Sequence, residues 1–98
     1  MLDEIMKYNV TEAYKVLSEY EVILGLQKIR IKIKRCYNNK YHFSTSHYCK
    51  SSKQAGLYKA GYDEFDSYDM ALKYAMKQIT SFYDESDDEL QWIPNEDY

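Results

Sequence analysis

The strict alternation of apolar and basic residues in KIRIKIKRCY, residues 28–37, constrains the fold more than any other feature of the chain. Isoleucine stands at every second position, and the positions around these isoleucines are basic: Lys28, Arg30, Lys32 and Lys34. Successive side chains of a β-strand point to opposite faces, so this pattern separates an apolar face from a basic one. The segment is predicted to be a strand whose apolar face is buried in a sheet.

A hairpin is predicted to follow this strand. Residues 38–40, NNK, have turn chemistry because asparagine tolerates a positive φ, and YHFSTSHYC, residues 41–49, then forms the second strand. A two-residue loop would place the isoleucines beside serines. A three-residue loop places them beside a more apolar face, so we expect the longer loop. A third strand is predicted over residues 56–62, GLYKAGY.

Both cysteines and both histidines lie between residues 36 and 49, which raises the question of a metal site or a disulfide. In the expected register Cys36 lies opposite His42 on the outer face, while His47 and Cys49 point inward. A closed zinc site needs four convergent ligands, and a disulfide needs two side chains that face each other. We therefore expect no metal, no cofactor and no disulfide, with Cys49 and His47 in buried packing and His42 at the surface.

Two long helices are expected, one before the strands in the chain and one after them. The first is predicted to begin near Asn9 or Thr11 and to stop at Gly25, because apolar residues recur between them at three- and four-residue steps. The second is predicted over residues 65–83, FDSYDMALKYAMKQITSFY, with Asp66 as its N-cap.

This order of elements predicts an α+β fold, α-β-β-β-α, with a short helical lead-in at residues 2–7. Consecutive strands with short links favour a three-stranded antiparallel sheet, and both helices are expected to pack on one face of it. A chain of 98 residues makes a single domain. We place this domain at residues 1–83 and separate residues 84–98 as an acidic C-terminal tail.

The net charge of −3 conceals an uneven distribution of charge. Residues 22–62 hold nine basic residues and no acidic one, whereas residues 84–98 hold seven acidic residues and no basic one. A basic sheet face with an exposed aromatic side chain suits phosphates and a stacked base, and it equally suits an acidic protein partner. Lysines on the exterior of a strand also serve simply to prevent aggregation. The predicted partner-binding residues are Lys28, Arg30, Lys32, Lys34, Arg35, Tyr48, Lys50 and Trp92.

The acidic tail contains an apolar interruption, LQWIP, at residues 90–94, with the only tryptophan and the only proline of the chain. An apolar anchor among acidic residues is typical of a docking segment. We expect it either to lie back on the basic face of this same protein or to bind a positively charged partner.

The sequence carries no catalytic motif of the GxSxG, P-loop, GxGxxG or HExxH type. Two histidines on opposite faces of a sheet make no acid–base pair, so we expect a protein that is not an enzyme. MLDEIMKYNV, residues 1–10, lacks the basic and apolar regions of a secretion signal. The apolar runs are too short to span a bilayer, and a cytoplasmic protein without a membrane partner is expected.

The predicted α-β-β-β-α order resembles that of a double-stranded-RNA-binding domain. That family carries a basic cluster at the start of its last helix, where this chain has the acidic DEFDSYDMALKY, residues 63–74. The RNA-contacting residues of the family are therefore not transferred to this chain.

Residues 42–83 resemble small proteins of phages and mobile elements in low-GC bacteria, through HYCKSSKQAGLYKAGYDEFDSYDMALKYA and its FDSYxxAL element. Proteins of this type include inhibitors of bacterial defence, anti-CRISPR proteins among them. The resemblance implies a small binding protein that inhibits a host protein or ribonucleoprotein effector by stoichiometric contact, in the host cell cytoplasm. Direct nucleic-acid binding through the basic face, with Tyr48 stacking on a base, is the alternative. A structural accessory subunit is the third hypothesis, and the oligomeric state stays open.

Overall fold

The computed structural model describes residues 2–59 and 64–98, and within them the chain forms two helices and five strands. The α+β class and a three-stranded antiparallel sheet are confirmed, and a second, two-stranded sheet adds to them. The elements in chain order are α1 (Leu2–Met6), β1 (Tyr14–Leu24), β2 (Gln27–Cys36), β3 (Tyr41–Thr45), β4 (His47–Lys50), α2 (Tyr68–Thr80) and β5 (Gln91–Pro94).

The central strand of the larger sheet is β2, the segment with the alternating pattern. Its three isoleucines, at positions 29, 31 and 33, have no exposed surface. They pack with the buried apolar residues of α2, which are Ala71, Ala75 and Ile79, and with Phe65. Each fully buried isoleucine stabilises the fold by about 1.5–3 kcal/mol, so this layer of helix on sheet forms the core.

The helix predicted from Asn9 or Thr11 to Gly25 is wrong, because residues 14–24 form β1 instead. β1 pairs with β2 from Tyr14 to Leu24, with one register shift between Val16 and Ser18, and Gly25, at φ 63°, makes the turn between them. Tyrosine, valine and isoleucine are favoured in strands. As a strand, residues 14–24 also form backbone hydrogen bonds with the edge of β2, which they could not form as a helix. The short helical lead-in is confirmed as α1.

The hairpin between β2 and β3 has the predicted three-residue loop, but the loop lies at residues 37–39, one residue earlier than expected. Asn39 takes the positive φ, 64°. His42 consequently lies opposite Lys34, so its predicted pairing with Cys36 is wrong. The register differs by two residues, which leaves the side chains of β3 on their predicted faces.

The second predicted strand, residues 41–49, is divided at Ser46 into β3 and β4. The Ser46 hydroxyl accepts a hydrogen bond from the Arg30 backbone N–H at 2.8 Å, and the Ser46 carbonyl accepts one from the Asn95 N–H at 2.8 Å. β4 therefore leaves β2 and pairs with β5 in the second sheet. The third predicted strand is wrong over residues 56–59, which are not a strand, and its residues 60–62 lie outside the described part.

Helix α2 is confirmed within the predicted residues 65–83, but it is shorter, because it begins at Tyr68 and ends at Thr80. Ser67 is the N-cap, and its hydroxyl accepts a hydrogen bond from the Met70 N–H at 3.1 Å. Asp66, the predicted cap, instead forms an ion pair with Lys40. A serine satisfies the first turn of a helix as well as an aspartate does, so the sequence FDSYD holds two equivalent candidates.

The C-terminal segment lies on the domain through β5 and through the loop before it. The Trp92 ring packs beside the Tyr83 ring, with 5.9 Å between centroids. The Asp87 carboxylate accepts hydrogen bonds from the Ser52 N–H and hydroxyl, at 2.9 and 3.0 Å. Among the residues described, no helix is long and apolar enough to cross a membrane.

Candidate functional site

The outer face of the larger sheet carries the predicted basic side chains of β2, but β1 adds two acids beside them. The antiparallel register sets Glu19 opposite Lys32 and Glu21 opposite Arg30. Side chains of directly opposed residues share one face of a sheet. The outer face is therefore mixed in charge, although residues 22–62 contain no acid.

Tyr98 covers the middle of this face. The Lys32 ammonium donates a hydrogen bond to the Tyr98 main-chain oxygen at 3.0 Å and lies 4.0 Å from the centre of the Tyr98 ring. The Tyr98 hydroxyl donates to the Glu19 carboxylate at 2.6 Å, and burial together with this carboxylate raises the pKa of the hydroxyl well above its usual value. Tyr98 is the part of the C-terminal segment that lies on this face, whereas the LQWIP segment expected there forms β5 against β4.

Lys34, the next basic residue of the strand, is also partly covered. Its ammonium lies 4.5 Å from the centre of the Tyr14 ring, a cation–π distance. Burial lowers the pKa of this lysine, and the neighbouring Lys32 lowers it further. We name Lys28, Arg30, Lys32 and Lys34 the basic stripe. Two of its four side chains, Lys32 and Lys34, thus contact aromatic rings of this chain.

The other four predicted binding residues lie away from this stripe. Arg35 has the inward parity of Ile31 and Ile33, and its Nε is buried without a hydrogen-bond partner among the described residues. Tyr48 and Lys50 belong to β4 in the second sheet, where the Lys59 ammonium lies 5.2 Å from the Tyr48 ring centre. Trp92 is half-buried against the core. The structure does not gather these four residues with the basic stripe.

The cysteines and histidines do not converge. Both cysteines are free thiols, and Cys49 is buried as predicted. Burial raises the pKa of each thiol, which disfavours the reactive thiolate. His42 lies 3.9 Å from Glu64 and His47 lies 2.9 Å from the Ser46 hydroxyl. Over residues 2–59 and 64–98, no group of three or more His, Cys, Asp or Glu side chains is placed to hold a metal ion.

Sequence reasoning missed an exposed series of large apolar side chains along β1 and its turn, which we name the β1 apolar row. Ile23 is 60% exposed and Leu26 is fully exposed. The alternation of glutamates with Tyr20 and Val22 was the signal that could have identified this strand. The row consists of Tyr14, Val16, Leu17, Tyr20, Ile23 and Leu26.

The row lies along an edge of the sheet whose backbone is open. β1 is the terminal strand in the order β1-β2-β3, and its outward edge has no backbone partner in the part of the chain that the structure describes. The opposite edge, at β3, is closed at Tyr41, which exchanges two 2.9 Å hydrogen bonds with Phe65. An open edge beside exposed apolar side chains is a surface on which another chain can form a strand.

The molecule also exposes more surface than its mass requires. The accessible surface is 6820 Å² for 11.8 kDa, whereas a compact monomer of this mass exposes about 5,900 Å². The radius of gyration is 15.1 Å, against about 12.6 Å for a compact chain of this length. Both values are those of an elongated molecule, whose principal extents are 50 × 23 × 21 Å.

No family model, no curated protein and no solved structure matches this chain.

Proposed function

We propose that this protein is a non-catalytic binding protein that acts by contact with another protein through the β1 apolar row. The observation that carries the proposal is this row of exposed apolar side chains at an open sheet edge. Ile23 lies on the outer face of the sheet, opposite Lys28, and Tyr20 lies on the helix-packed face, opposite Ile31, so the exposed apolar side chains flank the open edge on both sides. Exposed apolar side chains beside an unpaired strand edge favour association with another chain, and tyrosine is enriched at protein interfaces.

The energetics of the row support a contact with protein. Complete burial of Ile23 or Leu26, which are 60% and 103% exposed, would contribute about 1.5–3 kcal/mol per side chain at most. Tyr14 and Tyr20 add large rings that lose little conformational freedom on binding. A surface of this composition gains affinity from an apolar partner surface, whereas a nucleic acid offers it chiefly phosphates.

We further propose that the partner is a host protein or ribonucleoprotein effector of bacterial defence or nucleic-acid processing, which this protein inhibits stoichiometrically. The support is the resemblance of residues 42–83 to small proteins of phages and mobile elements. An inhibitor of this kind needs a binding surface and no catalytic group, in keeping with the two protonated thiols and the dispersed histidines.

The test is a phage-plating assay in bacteria that carry a defined CRISPR–Cas or restriction system. Wild-type protein is expected to restore plating, and a variant with Ile23→Glu and Leu26→Glu is expected to lose at least tenfold of this effect, because charges at the row oppose burial. Tyr8→Glu is the matched control, since Tyr8 is 80% exposed outside the row. Equal plating with all three proteins, at equal expression, would contradict the proposal.

Direct nucleic-acid binding is the weaker alternative. The stripe from Lys28 to Lys34 favours it, but Glu19 and Glu21 stand beside Lys32 and Arg30 on the same face. Phosphate binding depends on the net positive potential of a surface, and the two glutamates lower that potential.

A further inference from the structure

We propose that β1 binds its partner by strand addition, and that the added strand carries basic residues at alternate positions, facing Glu19 and Glu21. This inference rests on the proposed function and specifies how the same surface is used. It concerns the backbone edge of β1 and the chemistry of the strand that fits it.

The edge is long enough for a specific interaction. β1 has 11 residues, which span about 36 Å at ~3.3 Å per residue. A shift of register between Val16 and Ser18 marks a β-bulge, and bulges commonly terminate regular pairing. Residues 18–24 therefore form the regular part of the edge, and we assign the added strand to this part.

β2 shows which sequence pairs with these residues, because it already occupies the other edge of β1. Lys32 stands opposite Glu19, and Arg30 stands opposite Glu21. Between them Ile31 stands opposite Tyr20, on the face that packs against α2. A strand on the open edge meets the same alternation of glutamate and apolar side chains, so the same basic–apolar–basic pattern is complementary to it.

The two glutamates are available to such a strand. Glu21 makes no hydrogen bond or ion pair within residues 2–59 and 64–98, and Glu19 accepts a single hydrogen bond, from the Tyr98 hydroxyl. An exposed carboxylate at the margin of an interface contributes chiefly to the choice of partner and to its orientation.

The same glutamates disfavour the central registers in which a second copy of this chain could pair with β1. Antiparallel pairing of two β1 strands about Glu19 or Glu21 sets each glutamate opposite its own copy. Pairing about Tyr20 sets Glu19 opposite Glu21. Like charges directly opposite each other destabilise a sheet, so the three registers centred on Glu19, Tyr20 and Glu21 are unfavourable for a second copy and favourable for a basic strand.

The experiment uses the full-length protein and a fluorescein-labelled peptide, QKIRIKIKR, which copies residues 27–35. Saturable binding is expected by fluorescence anisotropy, with slower hydrogen exchange of the outward backbone amides within residues 18–24 by NMR. Glu21→Lys and Glu21→Gln are each expected to weaken binding, the first at least tenfold. Glu85→Lys, the matched change in the acidic C-terminal segment, is expected to alter affinity less than threefold.

A second peptide, N-methylated at alternate residues, keeps every charge but cannot complete a strand ladder. Equal binding of this peptide would show that charge alone attracts the first one, and would overturn the inference. Self-association of the wild-type protein with protection of the β1 amides would overturn it in favour of a second copy. If the peptide fails while the Ile23→Glu and Leu26→Glu variant still loses inhibition, strand addition falls and the proposed function stands.

Discussion

At the scale of single residues, isoleucine occurs in two opposite environments of the β1–β2 hairpin. Ile31 has no exposed surface in the middle of the core, and Ile23 is 60% exposed on β1. Ile31→Ala is expected to lower the free energy of unfolding by about 2–5 kcal/mol, because it removes buried carbon and leaves a cavity. Ile23→Ala is expected to change it by less than about 0.5 kcal/mol. Urea denaturation followed by circular dichroism measures both values.

Equal losses of unfolding free energy in the two variants would mean that β1 is buried in solution by another chain, since exposure is the reason for the expected difference.

The side-chain faces on which this comparison depends were predictable from the sequence. The period of two in residues 28–35 determines which isoleucines point inward. Cys49 likewise has its predicted burial, although the register of the hairpin is displaced by two residues.

At the scale of elements, the turn at Gly25 decides whether residues 14–24 can return along β2 as a strand. Gly25 has a φ of +63°, and a Cβ there would lie 2.8 Å from the Tyr83 hydroxyl. Gly25→Ala is therefore expected to destabilise the protein by about 1–2 kcal/mol from the left-handed backbone alone. Gly56→Ala is the control, because a Cβ at position 56 meets nothing within 4 Å. Thermal and urea denaturation of both variants test this prediction. Equal stability of the Gly25→Ala and Gly56→Ala variants would contradict a left-handed conformation at Gly25.

The elements that the sequence predicted correctly are those with one unambiguous period. β2 alternates strictly, and α2 has a long apolar stripe that follows a capping residue. Each of these two segments therefore fits only one type of secondary structure. Residues 10–24 fit a helical spacing and also contain the alternation from Glu19 to Val22, and local sequence does not choose between the two. The choice depends on pairing with β2, a tertiary interaction that overrides propensity. The candidate site was missed for the same reason, since the β1 apolar row exists only if β1 is a strand.

At the scale of the whole molecule, charge that is segregated along the sequence is mixed in space. β1 brings Glu19 and Glu21 beside the basic stripe, and Tyr98 lies over Lys32. The C-terminal segment also supplies β5 and Trp92 to the fold. Removal of residues 84–98 would thus disturb the second sheet as well as the charge, and point substitutions are the cleaner probe of the outer face.

The last prediction follows from this mixing. At physiological salt the wild-type protein is expected to bind labelled single-stranded DNA or RNA no more tightly than non-specific binders do, with a Kd of about 10⁻⁴ M or weaker. Substitution of both Glu19→Gln and Glu21→Gln is expected to raise the affinity at low salt about thirtyfold, at ~1 kcal/mol for each of the two carboxylates removed next to a phosphate contact. Fluorescence anisotropy over a range of salt concentrations measures both effects.

The control for this double variant is Glu85→Gln with Glu89→Gln, which removes the same charge from the C-terminal segment. A comparable gain in the control would mean that overall charge, and not the outer face, limits binding. Tight, steeply salt-dependent binding by the wild-type protein would contradict the prediction and favour the nucleic-acid alternative. The two glutamates lie beside the basic stripe and also beside the open edge of β1. The same two substitutions are therefore expected to strengthen nucleic-acid binding and to weaken binding of the QKIRIKIKR peptide. Opposite responses of the two ligands would show that one pair of side chains selects between them.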